Sequence, residues 1–171
     1  MKKFKMDTKM MVTAGILIAL NIILSRFLSI NAWNLKIGFT FVSLFVAAFF
    51  YGPIFAAIVA GVADVIGAIL FPSGAFFPGF TLTAILMGLL YGVLLHRKQT
   101  KLRIGLVVVI GQLVLSLLLN TYWLSILYGS PFAGLILTRI VQCFIMTPVE
   151  FITMSVLSKM LAPLKKEVAN S

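Results

Sequence analysis

Carboxylates are scarce in this chain: Asp7, Asp64, Glu150 and Glu167 are the four acids among 171 residues that carry 14 lysines and arginines. Cysteine and histidine occur once each, as Cys143 and His96, so the chain can form no internal disulfide and no Cys/His metal set. It has no Gly-x-x-x-x-Gly-Lys-Ser/Thr phosphate loop and no His-Glu-x-x-His pair, which excludes ATP hydrolysis by that loop and zinc proteolysis by that pair. No catalytic, metal or cofactor residue is assigned. If the protein moves a solute uphill, the energy comes from a partner or an ion gradient.

Apolar residues are plentiful. They make up 61% of the chain and charged residues 11%, against about 45–50% and about 25% in soluble domains. A chain of this length cannot hide so much apolar surface from water, because the buried fraction rises slowly with size. Lipid is therefore the expected solvent. The net charge of +10 does not point to nucleic acid, since the cations fall in short clusters between long apolar runs, as in the cytoplasmic loops of membrane proteins. The basic start imitates a secretory signal, but the apolar run from Met10 to Leu28 is too long for one and lacks a small-residue cleavage site. It is read as the first membrane helix, retained.

A helix needs about 20 apolar residues to cross a core of about 30 Å. That ruler, with the Gly, Pro and charge punctuation, predicts an all-α integral membrane protein of six helices forming a single domain over residues 1–171. The segments run from about Lys9 to Ser29, Leu35 to Phe50, Ile54 to Phe71, Phe80 to Leu95, Ile104 to Ile126 and Ala133 to Met160. The second is short enough that part of it is expected to be irregular backbone beside a cavity, and Pro148 is expected to kink the sixth. Lys2, Lys3, Lys5, Lys9, Arg97, Lys98, Lys101, Arg103, Lys159, Lys165 and Lys166 all fall on one side, leaving Arg26, Lys36 and Arg139 for the other. The larger group marks the cytoplasmic side, with both termini there.

Ionisable groups at membrane depth are costly and point to function. Arg26, Asp64 and Arg139 share the outer half of the membrane, with Lys36 at its rim. Internal pairing of three cations with one carboxylate leaves about two positive charges unmatched where unpaired charge is expensive. Two accounts are open: Asp64 pairs with an arginine as structural glue while Arg26 snorkels, or these groups line an outward pocket for a ligand with two carboxylates. Trp33, Asn34, Phe71, Phe76, Phe77, Asn120, Tyr122 and Trp123 lie at the same level. There, rings can stack on a flat ligand or anchor in the interface, and amides can read a heterocycle's edge. On helix 6, Arg139, Gln142, Cys143, Met146 and Glu150 form one stripe. Glu150 lies about 16 Å further in than Arg139 and is read as a structural or partner contact. On helix 1, Ala14, Gly15 and Ala19 offer small residues, and the Gly15-x-x-x-Ala19 spacing admits close approach of another helix.

The chain resembles the substrate-binding S components of energy-coupling factor (ECF) vitamin transporters over essentially its whole length. The resemblance is carried by Gly61-Val62-Ala63-Asp64-Val65-Ile66-Gly67 and by the run from Phe71-Pro72-Ser73-Gly74 to Thr81-Leu82-Thr83-Ala84. Within that family it leans to the folate group through Leu24-Ser25-Arg26-Phe27, Asn31-Ala32-Trp33-Asn34-Leu35-Lys36-Ile37-Gly38-Phe39 and Thr138-Arg139 with Thr147-Pro148. The resemblance implies a bacterial cell-membrane subunit that binds the vitamin outside and associates with a transmembrane coupling protein and two ATPases. In this family the helix 1 small-residue motif contacts the coupling protein, usually with two alanines; Gly15 stands here for the first. The subunit is also implied to topple in the membrane, carrying its site inward. Folate suits the residues: a flat pterin for Trp or Tyr stacking with Asp64 or Asn120 at its edge, and a glutamate tail for Arg26, Lys36 and Arg139. Riboflavin, pantothenate and thiamine are alternatives, thiamine's positive charge sitting badly beside three cations. An intramembrane enzyme using Asp64 and Glu150 is a rival from another class, but these carboxylates are expected at different depths. A channel needs a continuous polar face that the cytoplasmic half lacks.

Overall fold

The computed structural model describes residues 7–32, 35–72 and 74–170, apart from the side chains of 30–32, 35–37 and 164–170. Among the described residues there are six helices and one short hairpin. Helix α1 spans Thr8–Arg26. The hairpin follows, with β1 (Ile30–Ala32) antiparallel to β2 (Leu35–Ile37) and Asn31 opposite Lys36. Next come α2 (Thr40–Tyr51), α3 (Pro53–Leu70) and α4 (Pro78–Leu95). The continuous helix α5 covers Lys101–Tyr128, and α6 covers Phe132–Asn170.

Five of these helices are long and apolar enough to cross a membrane, and α2 is a shorter apolar helix. The segment expected from Leu35 to Phe50 thus divides into a strand, a turn and a short helix. The hairpin satisfies its backbone groups by cross-strand pairing, which permits non-helical chain inside a membrane protein. Local chemistry marks the boundaries. Thr100 Oγ1 accepts from the Arg103 amide at the start of α5, Pro53 and Pro78 occupy first-turn positions where no amide donor is needed, and Gly52 takes φ +89° between α2 and α3. Helix α6 runs through both Pro148 and Pro163.

Phe45, Phe49, Phe55, Tyr91, Leu95, Ile104, Val107 and Met154 are almost wholly buried. They come from the first halves of α3 and α5, the second halves of α4 and α6, and the length of α2. Because successive helices reverse direction, these residues gather at the end of the bundle away from the β-hairpin. Close α3–α4 packing supports that end: a Cβ on Gly88 would lie 2.5 Å from the Ala56 carbonyl oxygen, and one on Gly92 would collide with Pro53. Small residues let membrane helices approach this closely. The hairpin end is left for polar groups.

Candidate functional site

A cavity of about 360 Å³ occupies the hairpin end of the bundle. All six helices reach it. Helix α1 supplies Asn21, Ser25 and Arg26, α2 supplies Thr40 and Leu44, and α3 supplies Ala60, Asp64 and Ala68. Phe76, Phe77, Phe80, Thr83 and Met87 come from the α3–α4 connection and α4. Helix α5 contributes Gln112, Ser116, Asn120 and Leu124 at intervals of four.

Residues 111–119 of α5 form a π-helical stretch, Gly111–Leu119. Gln112 and Ser116 lie within this stretch and Asn120 directly follows it. Two carbonyls of this stretch accept hydrogen bonds from α6. Ser116 O accepts from Arg139 Nη2 at 3.0 Å, and Gln112 O accepts from the Cys143 thiol at 3.5 Å. Stretches of this kind are rare and concentrate at functional sites.

Helix α6 lines the cavity with Arg139, Gln142, Met146 and Glu150, all buried and spaced as one helical face. Cys143 belongs to the expected stripe but is packed against α5 instead. Glu150 lies in the same cavity as Arg139, so the polar site extends further along α6 than the sequence-based depth suggests. Its Oε1 accepts from Gln112 Nε2 at 2.7 Å.

Asp64 on α3 accepts a hydrogen bond from Thr81 Oγ1 at 2.7 Å. Among the described residues no carboxylate lies within ion-pair distance of Arg139, so the structural-glue account does not apply to that arginine. Arg26 packs over Gly67, where a Cβ would stand 3.2 Å from its Nε. Buried atoms without a hydrogen-bond partner among the described residues include Arg139 Nε, Asn120 Oδ1 and Gln112 Oε1. Such groups are expensive to bury unsatisfied, and all three residues line the cavity.

The aromatic candidates separate. Phe76, Phe77 and Phe80 line the cavity. Trp123 sits behind them, donating from Nε1 to Thr83 Oγ1 at 3.1 Å and packing 5.6 Å from Phe77, so its contact with the cavity is indirect. Tyr122 is half exposed and packs beside Trp123 with its ring tilted 56° to the indole. Phe71 makes an edge contact with Phe27 at 5.3 Å. Neither Phe71 nor Tyr122 lines the cavity; both are exposed, Phe71 just beyond the end of α3 and Tyr122 on α5. Trp33 and Asn34 lie outside the described residues, and Lys36 is placed by its backbone in β2.

On α1, Gly15 and Ala19 are exposed whereas Ala14 is buried. Ala14 is therefore a core residue packed within the protein, which corrects its grouping with the other two. Open space surrounds Gly15, with no atom within 4 Å of a Cβ placed there. Asp64 and Glu150, expected at different depths, line one cavity, but each has its own hydrogen-bond partner, Thr81 for one and Gln112 for the other. The polar residues Asn21, Gln112 and Ser116 were not singled out from the sequence, although their spacing within apolar helices was visible there. Asn21 Nδ2 donates to Ser43 Oγ at 2.6 Å, tying α1 to α2.

Membrane-length helices around a cavity lined by both polar and apolar side chains define a multi-pass membrane protein with an internal binding chamber. Residues 9–158 match the family described as "ECF transporter, substrate-specific component". Two relatives are described as the folate transporter FolT. That of Clostridium novyi (strain NT) is 39% identical over 143 residues, covering 83% of both chains. That of Leuconostoc mesenteroides subsp. mesenteroides is 34% identical over 153 residues, covering 85% of this chain and 82% of the relative. A crystal structure of FolT bound with folic acid superposes with a TM-score of 0.86 at 34% identity, covering 90% of this chain and 95% of that one. The chain belongs to the substrate-specific components of ECF transporters, a family of transport subunits rather than enzymes, and is a multi-pass protein of a bacterial cell membrane.

Proposed function

We propose that the chain is a folate-binding S component that captures the vitamin in the cavity at the hairpin end of the bundle. The observation that carries this reading is the 0.86 TM-score to FolT bound with folic acid, at 34% identity over 90% of the chain. The cavity chemistry supports it. Its volume of about 360 Å³ falls in the range of small-molecule sites, about 300–1,000 Å³. Arg139 and Arg26 suit the glutamate carboxylates, Asp64 and Asn120 suit hydrogen bonding to the ligand, and Phe76, Phe77 and Phe80 suit its flat rings. The backbone of Lys36 lies in β2 of the hairpin at that end.

On this reading the hairpin end faces outside, both termini are cytoplasmic, and the whole chain acts as one binding domain. Transport energy comes from two ATPases through a transmembrane coupling protein that meets the exposed Gly15–Ala19 face of α1. Mass spectrometry of small molecules that co-purify with the protein, followed by titration with folate, tests the reading. Co-purified folate or tight folate binding is the expected result. A protein that holds riboflavin, pantothenate or thiamine and ignores folate would overturn it.

A further inference from the structure

We propose that Glu150 and Gln112 together read the amino-amide edge of the pterin at the inner end of the cavity, and so select 2-amino-4-oxo heterocycles. This rests on the folate reading above. Gln112 is 4% exposed and Glu150 7%, and both line the cavity. Only the amide nitrogen of Gln112 can donate to a carboxylate. Its bond to Glu150 Oε1 therefore fixes the amide orientation, and Gln112 Oε1 is left as a buried acceptor with no partner among the described residues.

The pair thus offers acceptors and no spare strong donor except the second amide hydrogen. Such a site suits a ligand edge rich in N–H groups. A pterin presents the adjacent N3–H and 2-amino hydrogens in parallel, matching the fork of a carboxylate, and the remaining amino hydrogen can reach an amide oxygen. Hydrogen bonds to an ionised carboxylate are the stronger kind, and the ligand's own N–H groups favour that form of Glu150.

Charge sets the ligand's direction. Arg139 stands eleven positions before Glu150 on the same face of α6, about 16 Å away along the helix, a span comparable to an extended molecule with a two-ring head and a glutamyl tail. Arg139 attracts carboxylates, whereas Glu150 offers them no counter-charge. The tail is therefore held toward the hairpin and the head is driven inward onto Glu150 and Gln112.

The test compares folate with its 2-desamino-2-methyl analogue, in which a methyl group removes two donors while the rings and tail remain, on the parent protein and on Glu150→Gln in detergent. The parent should bind the analogue roughly 30-fold or more weakly than folate, the scale for unpairing one side of a buried charged hydrogen bond. Glu150→Gln should lose folate affinity on a similar scale and lose clearly less for the analogue, which keeps only N3–H for the carboxylate. Equal binding of folate and analogue by the parent would overturn the inference while leaving the folate reading intact. Full folate affinity in a folded Glu150→Gln protein would do the same. A parent that binds no folate removes both together. If Glu150→Gln does not fold, the two ligands on the parent decide the matter alone.

Discussion

Arg139 on α6 donates from Nη2 to the backbone carbonyl of Ser116, 3.0 Å away on the π-helical part of α5. The bond holds a buried guanidinium at the cavity wall without neutralising it. A carbonyl offers partial charge only, so an anionic ligand can still gain from the full positive charge.

Substitution of Arg139 separates a ligand role from a structural one. Arg139→Met should stay folded in detergent and lose about 2–5 kcal/mol of folate affinity, the usual range for truncating one side of a buried charge pair. Pteroate, which lacks the glutamate, should bind mutant and parent about equally. Equal losses for both ligands would remove Arg139 from the tail-binding role. Thermal melts of Arg139→Met and of the double variant with Asp64→Leu add a control: the second substitution should recover no stability, because Asp64 is held by Thr81 and not by Arg139.

Docking to the coupling protein should depend on Gly15 and Ala19. Either residue changed to Trp projects into open space beside α1 rather than into the bundle. Folate binding by the isolated subunit should therefore persist while uptake by the assembled transporter fails. Normal uptake in both variants would place the docking face elsewhere.

Gly88 provides a stability test. A side chain there meets the backbone of Ala56 and Ala57 on α3, and backbone yields less readily than a flexible side chain. Gly88→Ala should lower stability by about 1–3 kcal/mol, the range for overpacking, read as a drop in Tm in detergent. Gly15→Ala, with nothing near, should leave Tm unchanged or raise it slightly, since alanine favours the helix. Two equal melting points would show that the α3–α4 contact is looser than its geometry.

Orientation can be read by labelling single cysteines in a Cys143→Ser background. Sites at Ala75 and after Ser130 should react with an impermeant reagent applied from outside, and one at Gln99 should react only after the membrane is opened. The cation asymmetry of eleven against three sets this expectation. Labelling of Gln99 from outside would reverse the topology.

The sequence by itself determined the solvent, the number of helices and most of their limits. Long apolar runs cannot be reconciled with water, and Gly, Pro and charge leave few places for the turns. It also marked Arg26, Asp64, Asn120 and Arg139 as candidates, since a polar side chain in an apolar run is conspicuous alone. It could not decide which face of each helix looks inward. In lipid both faces are apolar, so the periodicity that orients a helix in a soluble protein is weak. Ala14 and Gly15 are neighbours in the chain, yet one is core and the other is surface. Gln112 lies 38 positions from Glu150, and no local pattern announces that they meet. Only the packing of α5 on α6 brought Gln112, Ser116, Arg139 and Glu150 around one chamber. Hydrophobicity places each helix in the membrane, but close packing and the cost of unsatisfied polar groups decide how the helices turn toward one another.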